Sequence, residues 1–223
     1  MSTTLITGAN RGIGLALATQ LQAEGAEVLA ICRKSSAELD ALGVEVFAGI
    51  DVSNDADLAR LQSLLQRRTL EQLILNAGVL SDERLGALDA SAVARLRRQL
   101  EVNALAPLLC VETLLTNLAA GAKIGIITSK MGSVGDNDSG GRYGYRMSKA
   151  ALNAAAKSLA IDLKPRGVAV AILHPGFVRT QMTGGNGELS AEQSAGLLLE
   201  RMRQLNLSNS GTFWHARGDV LPW

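Results

Sequence analysis

Short apolar segments that can form buried strands alternate along this chain with segments of helical spacing. Continuous apolar runs are typical of parallel strands that are covered on both faces. Strand–helix–strand repetition with short connections favours a parallel sheet between two layers of helices. We therefore expect an α/β fold, a three-layer, doubly wound parallel sheet of about seven strands, in one domain over residues 1–223. The runs are Thr3–Thr7, Val28–Cys32, Val44–Ile50, Leu73–Leu75, Lys123–Thr128 and Val168–Leu173.

The segments between these runs have the residue spacing of amphipathic helices. Ser35 and Glu38 have the spacing of a capping box, which predicts a short helix that ends near Gly43. In the longest helical segment, Pro107 is expected to bend or interrupt the helix because it lacks a backbone N–H. The three longer predicted helices are Asp55–Arg68, about Ser91–Leu118 and about Tyr145–Leu163.

The composition argues against several classes of protein. The 22 basic and 21 acidic residues leave a formal net charge of +1, which does not favour nucleic-acid binding through a strongly basic face. No apolar stretch reaches the ~18 residues that a membrane span needs, and no N-terminal signal is visible. Cys32 and Cys110 form no CxxC motif and are interpreted as buried free thiols. We expect a soluble cytoplasmic protein without nucleic-acid or membrane partners, and we identify no metal-binding motif.

The first strand run leads into a glycine-rich turn, Thr7–Gly14, that opens a helix. Glycines let the backbone turn sharply and let a pyrophosphate approach the helix N-terminus, where free N–H groups and the helix dipole favour an anion. The strand before the turn and the helix after it are the context that such a motif requires. A purely structural turn is the alternative. The cofactor-binding candidates in the turn are Gly8, Asn10, Arg11, Gly12, Ile13 and Gly14.

The end of the second strand run bears on the choice of cofactor. An acidic residue there would bind the ribose 2′-hydroxyl of NAD, whereas a cation would pair with the 2′-phosphate of NADP. This run ends in Arg33 and has no carboxylate, and Arg11 lies beside the same turn. A guanidinium can form a forked pair with a phosphate. We predict NADP(H) over NAD(H), with two solvated surface arginines as the alternative.

Tyr145 and Lys149 are the strongest candidates for catalysis. Their four-residue separation places both on one face of a helix. A phenol has a pKa of about 10, and a nearby ammonium stabilises the phenolate and eases proton exchange with a substrate oxygen. Taken alone, such a pair is usually an exposed one, and its order after the other motifs is what favours catalysis. Tyr143 has no lysine four residues later and is set aside.

These motifs, in this order, resemble the short-chain dehydrogenase/reductase family. The glycine turn has the family's Gly-x-x-x-Gly-x-Gly spacing, and an Asn-Ala-Gly sequence at Asn76–Gly78 follows the fourth strand run. The resemblance extends from Thr7 to Thr180 and is greatest to the short carbonyl-reductase branch that includes sniffer-type and C-factor-type proteins. It implies a Rossmann-type fold.

The resemblance also implies roles for individual residues at the catalytic site. Tyr145 would exchange the proton, and Lys149 would act as its electrostatic partner and bind ribose. Asn103 would hold a helix irregularity and support a proton relay through water, although plain local hydrogen bonding is an alternative for a polar residue in an apolar helix. The serine that would orient the substrate oxygen matches Ser129.

Two other hydroxyls compete with Ser129, namely Ser133 and Thr128. For each of the three, a structural role on the loop is also open. The chain departs from the family here, because the separation from Ser129 to Tyr145 is longer than usual. Extra residues in Gly135–Gly141 account for the difference.

Further cofactor contacts follow from the same resemblance. Asp51 and Val52 would hold the adenine ring, although Asp51 could instead be a helix cap. The family's Asn-Ala-Gly motif ties the sheet together and borders the adenosine ribose. His174 is interpreted as a packed, satisfied histidine and not as a base. The positions that match are Asn76, Ala77 and Gly78 near the ribose, and Pro175, Gly176, Val178 and Thr180 near the nicotinamide.

The resemblance thus implies an NADP(H)-dependent oxidoreductase that reversibly transfers hydride between the nicotinamide and a carbonyl or alcohol substrate. A dinucleotide-binding signalling protein of the C-factor type, with little turnover, is the alternative. A different nucleotide-using α/β enzyme, such as a methyltransferase, would leave Tyr145 and Lys149 without a role. The two long helices form subunit interfaces in many relatives, which implies a homodimer or homotetramer. Packing of the alanine-rich helix against its own sheet alone is the alternative.

Overall fold

Seven parallel strands form one sheet in the structure, a computed structural model that describes residues 2–223. The strands are β1 (Thr3–Thr7), β2 (Glu27–Cys32), β3 (Glu45–Ala48), β4 (Leu70–Leu75), β5 (Leu118–Ile127), β6 (Ala169–His174) and β7 (Phe213–His215). Their spatial order is β3-β2-β1-β4-β5-β6-β7. The chain therefore winds outward from β1 and then returns to β4 to wind the other way. A doubly wound sheet of this kind opens a crevice at the carboxyl ends of its two central strands.

Helices cover both faces of the sheet and confirm the predicted three-layer α/β architecture. Alternate strand residues point to opposite faces, so Leu5 packs in one apolar cluster and Ile6 in the other, each fully buried. The α-helices are α1 (Gly12–Ala23), α2 (Ala37–Asp40), α3 (Asp55–Leu65), α4 (Ala90–Leu100), α5 (Ala106–Thr113), α6 (Tyr143–Asp162) and α7 (Ala191–Gln204). One cluster includes residues of α3, α5 and α6, and the other includes residues of α1, α2 and α7.

Several predicted boundaries differ from the structure. The helix cap of α2 is Ser36, whose hydroxyl accepts a hydrogen bond from the Leu39 N–H, so the capping box assigned to Ser35 was wrong. Strand β5 begins five residues earlier than its apolar run, at Leu118, which pairs with Leu70 before the register shifts. Strand β7 has only three residues, which is too short for a periodic signal. No helix among residues 2–223 is long and apolar enough to cross a membrane.

The predicted long helix before β5 is divided by a π-helical turn at Glu101–Leu105. Pro107 follows in the first turn of α5 and has no N–H to donate to the carbonyl of Asn103, four residues earlier. The Ala106 N–H instead donates to the Glu101 carbonyl, five residues back. The interruption expected from Pro107 is present, and it places Asn103 at the irregularity.

Candidate active site

A cavity of about 390 Å³ opens where the strands β1, β2, β4, β5 and β6 end. Residues from segments far apart in the sequence meet there, which is the crevice that a doubly wound sheet provides for a ligand. The candidates that line it are Gly8, Asn10, Arg11, Gly12, Ile13, Arg33, Asp51, Val52, Asn76, Ala77, Gly78, Tyr145, Lys149, Pro175 and Thr180. Gly14, Asn103, Ser129, Gly176 and Val178 are candidates outside this lining.

The glycine turn is shaped by close contact between its own backbone segments. Gly8 has a φ of 68° and Gly12 a φ of 54°, which favour glycine. A Cβ on Gly14 would lie 2.2 Å from the Gly8 carbonyl oxygen. Helix α1 begins without a side-chain cap, because Arg11 makes no capping hydrogen bond. Its first N–H groups are therefore available to an anion, and the turn fits the pyrophosphate of a dinucleotide.

Asn76 fastens the end of β4 to this turn. Its side-chain amide donates to the carbonyls of Thr7 and Gly8, each at 3.1 Å. The Thr7 hydroxyl in return accepts the backbone N–H groups of Asn76 and Ala77, at 3.0 and 3.1 Å. The two central strands are thus tied together directly beneath the cavity.

At the end of the cavity beside β2, two arginines flank one carboxylate. The Asp51 Oδ2 atom lies 3.1 Å from Arg98 and 4.0 Å from Arg33. Partial burial acts to raise the pKa of Asp51, but hydrogen bonds from Ser53 and the charge of Arg98 outweigh it. The pKa of Asp51 is therefore lowered overall. The cap of α3 is Asn54, so the alternative that Asp51 caps this helix was wrong. This end of the cavity presents a cation, Arg33, that fits a 2′-phosphate.

Tyr145 and Lys149 lie at the inner end of the cavity on α6. The Lys149 Nζ atom is 5.8 Å from the centre of the Tyr145 ring and donates a 2.9 Å hydrogen bond to the Ile127 carbonyl. Burial lowers the pKa of Lys149 to about 8. Burial also raises the pKa of Tyr145, against the opposing effects of Ser129 and Arg142. The phenol is therefore held protonated, as a proton donor must be.

The three candidate hydroxyls after β5 are engaged differently. Thr128 donates a 2.7 Å hydrogen bond to Asn153, and the Ser133 Oγ accepts the Asp136 N–H at 3.1 Å. The Ser129 Oγ accepts the Met131 N–H at 3.1 Å and interacts with the phenol of Tyr145. Ser129 is thus the hydroxyl that the structure brings to Tyr145.

Asn103 is fully buried and connects three segments around the cavity. Its side chain accepts the Val79 N–H at 2.8 Å, donates to the Val79 carbonyl at 2.8 Å, and donates to the Ser148 hydroxyl at 3.0 Å. A Cβ on Gly78 would lie 3.2 Å from the Asn103 Oδ1 and 3.9 Å from the Lys149 Nζ. Both polar side chains therefore face the same glycine at the cavity wall.

The turn after β6 lies over the glycine loop. Arg11 donates a hydrogen bond to Gln181, and a Cβ on Gly12 would lie 3.4 Å from the Thr180 side chain. Val178 is buried in a bridge with Leu189, and so supports this turn from beneath. Pro175 and Thr180 line the cavity, while Gly176 adopts a φ of 89°.

His174 is packed but not satisfied, so that part of its interpretation was wrong. Its Nδ1 atom is buried without a hydrogen-bond partner, and its ring meets the ring of His215 edge-on at 5.0 Å. Burial, with a smaller contribution from His215, lowers the pKa of His174 to about 3. It is therefore neutral near pH 7.

A second buried polar network was not identified from the sequence. Glu83 is 1% exposed and accepts hydrogen bonds from the Gln99 side-chain amide, 3.1 Å from each carboxylate oxygen, and from the Ser81 hydroxyl. Gln99 also accepts the Ser81 N–H at 3.1 Å. A Cβ on Gly144 would lie 2.2 Å from the Gln99 Nε2 and 3.1 Å from the Glu83 Oε2. The network thus supports the start of α6 one residue before Tyr145, and no spacing signal marks it.

Comparison with known proteins gives consistent matches. A model of the short chain dehydrogenase family matches residues 2–190. A dehydrogenase of Rhodococcus sp. (strain AD45), named for 1-hydroxy-2-glutathionyl-2-methyl-3-butene, is 39% identical over 229 residues that cover 100% of both chains. The C-signal protein of Myxococcus xanthus is 41% identical over 157 residues, which are 69% of this chain and 93% of that protein.

Solved structures agree with these matches. The NADPH-bound carbonyl reductase from chicken fatty liver has a TM-score of 0.89 and 28% identity, over 100% of this chain and 94% of that one. A protein of closely similar fold thus carries this dinucleotide.

Proposed function

We propose that this chain, which belongs to the short-chain dehydrogenase/reductase family, reduces a carbonyl substrate with NADPH and oxidises the corresponding alcohol in reverse. Family membership makes the chain an oxidoreductase. The observation that carries the proposal is the position of Tyr145 and Lys149 in the same cavity as the uncapped glycine turn. Bound NADPH would supply the hydride, and the protein would supply position and proton transfer.

Four polar residues at the inner end of the cavity would each have a separate role in proton transfer. The Tyr145 phenol would donate its proton to the substrate oxygen, and Ser129 would donate a hydrogen bond to the same oxygen as negative charge develops there. The buried Lys149 ammonium would stabilise the phenolate that Tyr145 becomes, and would bind the ribose. Asn103 would fix the backbone of Val79 at the cavity wall through its two hydrogen bonds. It would thereby support a relay through water that returns a proton to Tyr145.

At the opposite end of the cavity, the turn at Gly8–Gly14 would hold the pyrophosphate. Asp51 and Val52 would border the adenine ring, and Asn76–Gly78 its ribose. Pro175–Thr180 would contact the nicotinamide. Arg33 supports a preference for NADP(H) over NAD(H), because its side chain is 63% exposed at the cavity and can reach a phosphate.

The assembly and location of the protein are also part of the proposal. We place the cofactor site and the catalytic residues in one domain, in a cytoplasmic protein. Both cysteines are free and buried, which fits a reducing compartment. Exposed apolar side chains on the π-helical turn, α5 and α6, among them Leu105 and Ile161 at 48% and 63% exposure, support a homodimer or homotetramer. Light scattering of the purified protein tests this.

The experiment for the catalytic proposal is NADPH oxidation with a panel of aldehydes, quinones and diketones. Wild type is compared with Tyr145→Phe and with the control Tyr143→Phe, which removes a neighbouring hydroxyl outside the proposed proton path. We expect Tyr145→Phe to lower kcat about 10²–10⁴-fold while the control keeps its activity. If Tyr145→Phe reduced the substrates as fast as wild type, the assigned proton donor would be wrong.

A signalling role with little turnover is a second candidate, favoured by the identity to the C-signal protein. It predicts binding of the dinucleotide without turnover on any member of the panel. Equal inactivity of wild type and Tyr145→Phe, combined with tight NADPH binding, would favour this role.

A further inference from the structure

Asp51 lies between two guanidinium groups at the adenine end of the cavity, and both approach the same carboxylate oxygen. The Asp51 Oδ2 atom is 3.1 Å from the Arg98 Nη2 and 4.0 Å from the Arg33 Nη1. The other oxygen, Oδ1, already accepts the Ser53 N–H at 3.0 Å and the Ser53 hydroxyl at 2.6 Å. The arginines therefore compete for one acceptor, and Arg98 holds it.

Arg98 is fixed in this position from a different element. It extends from α4, lines the cavity, and donates a second hydrogen bond of 2.7 Å to the Ser53 hydroxyl. Arg33 follows β2, and its only carboxylate neighbour among residues 2–223 is Asp51 at the longer distance. The Arg33 guanidinium thus remains exposed at the cavity.

We propose that Arg98 determines cofactor specificity indirectly, by neutralising Asp51 so that Arg33 is left to bind a 2′-phosphate. This inference rests on the proposed use of NADP(H). An uncompensated Asp51 would act against the phosphate in two ways. It would repel the phosphate dianion, and it would draw Arg33 into an ion pair of its own. Arg98 is a positioning residue in this account, because it acts through Asp51 and Arg33.

The test measures binding of nucleotide fragments and so needs no turnover. Isothermal titration calorimetry with 2′,5′-ADP and with 5′-ADP reports the contribution of the 2′-phosphate without the nicotinamide end. The variants are Arg98→Met, Asp51→Asn and the double variant. Arg97→Met is the control, since Arg97 is an exposed residue of the same helix that loses the same charge.

We expect Arg98→Met to weaken 2′,5′-ADP about tenfold, with less than about a threefold change for 5′-ADP. In the double variant the Asp51 charge is also absent, so the preference for 2′,5′-ADP over 5′-ADP, the ratio of their dissociation constants, is expected to recover to within about threefold of wild type. The ratio is the measure because loss of the Asp51 contact with adenine would weaken both fragments alike. Arg97→Met is expected to match wild type for both fragments.

Two results would overturn the inference while leaving the cofactor preference intact. One is unchanged binding of 2′,5′-ADP by Arg98→Met. The other is a loss of the preference for 2′,5′-ADP over 5′-ADP that the double variant fails to recover, since Arg98 would then contact the phosphate itself. A wild type that bound both fragments equally would refute the proposed preference for NADP(H) and, with it, this inference.

Discussion

The ammonium of Lys149 lies 5.8 Å from the centre of the Tyr145 ring, and its Nζ atom donates to the Ile127 carbonyl at the end of β5. The two residues are one turn apart on α6, which places the ammonium beside the phenol. The hydrogen bond to the Ile127 carbonyl holds the Lys149 side chain in this orientation. The lysine is 4% exposed, so water has little access to screen its charge.

The burial of Lys149 predicts a pH-dependent stability. Its pKa is lowered from 10.5 to about 8 by burial. The folded chain thus releases this proton near pH 8, whereas the unfolded chain retains it to about pH 10.5. The corresponding stability is fully present above pH 10.5 and is lost as the pH falls through 8. Relative to Lys149→Met, the free energy of unfolding of wild type should rise by about 2 kcal/mol between pH 7.5 and 10. Urea unfolding of both proteins at the two pH values measures this, and a constant difference would contradict it.

The hydroxyls after β5 predict a contrast between two serine variants. Ser129→Ala removes the hydroxyl that interacts with Tyr145, and we expect kcat to fall about 10²-fold with little change in NADPH affinity. Ser133→Ala removes only the acceptor of the Asp136 N–H, so its kcat should stay within about threefold of wild type. Steady-state kinetics and fluorescence titration with NADPH distinguish the two. A larger loss of kcat in Ser133→Ala would reverse the assignment.

The glycine turn predicts that a single added methyl group is not tolerated. The Cβ of Gly14→Ala would lie 2.2 Å from the Gly8 carbonyl oxygen and 2.6 Å from the Asn76 Nδ2. We expect a loss of about 2 kcal/mol or more in the free energy of unfolding, together with loss of NADPH binding. Gly196→Ala is the matched control, because it also lies within a helix and its Cβ meets nothing nearer than 3.5 Å. That variant should gain about 0.5–1 kcal/mol. Equal stability of the two variants would be inconsistent with the close contact.

The buried carboxylate of Glu83 predicts a coupled loss of stability and kcat. In Glu83→Gln the charge that faces the Arg95 guanidinium at 3.9 Å is lost, and one oxygen becomes an NH₂ group that can no longer accept from the Gln99 amide. An unsatisfied buried group costs about 1–3 kcal/mol. We expect that decrease in the free energy of unfolding, and a lower kcat because the start of α6 shifts beside Tyr145. Glu112→Gln, on an exposed position of α5, should change stability by less than about 0.5 kcal/mol. A fully stable and active Glu83→Gln would show that this network does not position Tyr145.

The fold class and most of the residues that line the cavity could be predicted from the amino-acid sequence. Adjacent residues such as Leu5 and Ile6 are both apolar because a strand covered on both sides needs apolar residues on each face. The turn at Gly8–Gly14 and the pair of Tyr145 and Lys149 are also local patterns, since a tight turn and one helical turn depend on residues near one another in the chain. Local information of this kind is sufficient to place them.

Contacts between side chains that are far apart in the sequence could not be predicted in this way. Glu83 and Gln99 lie 16 residues apart, and Arg98 reaches Asp51 across 47 residues. No periodic pattern in the sequence indicates such pairs. The burial of Glu83 and the neutralisation of Asp51 depend on how α4 packs beside the cavity. Ser129 shows the same division. The family resemblance preferred it to Ser133 and Thr128, but its interaction with Tyr145 is visible only in the folded chain.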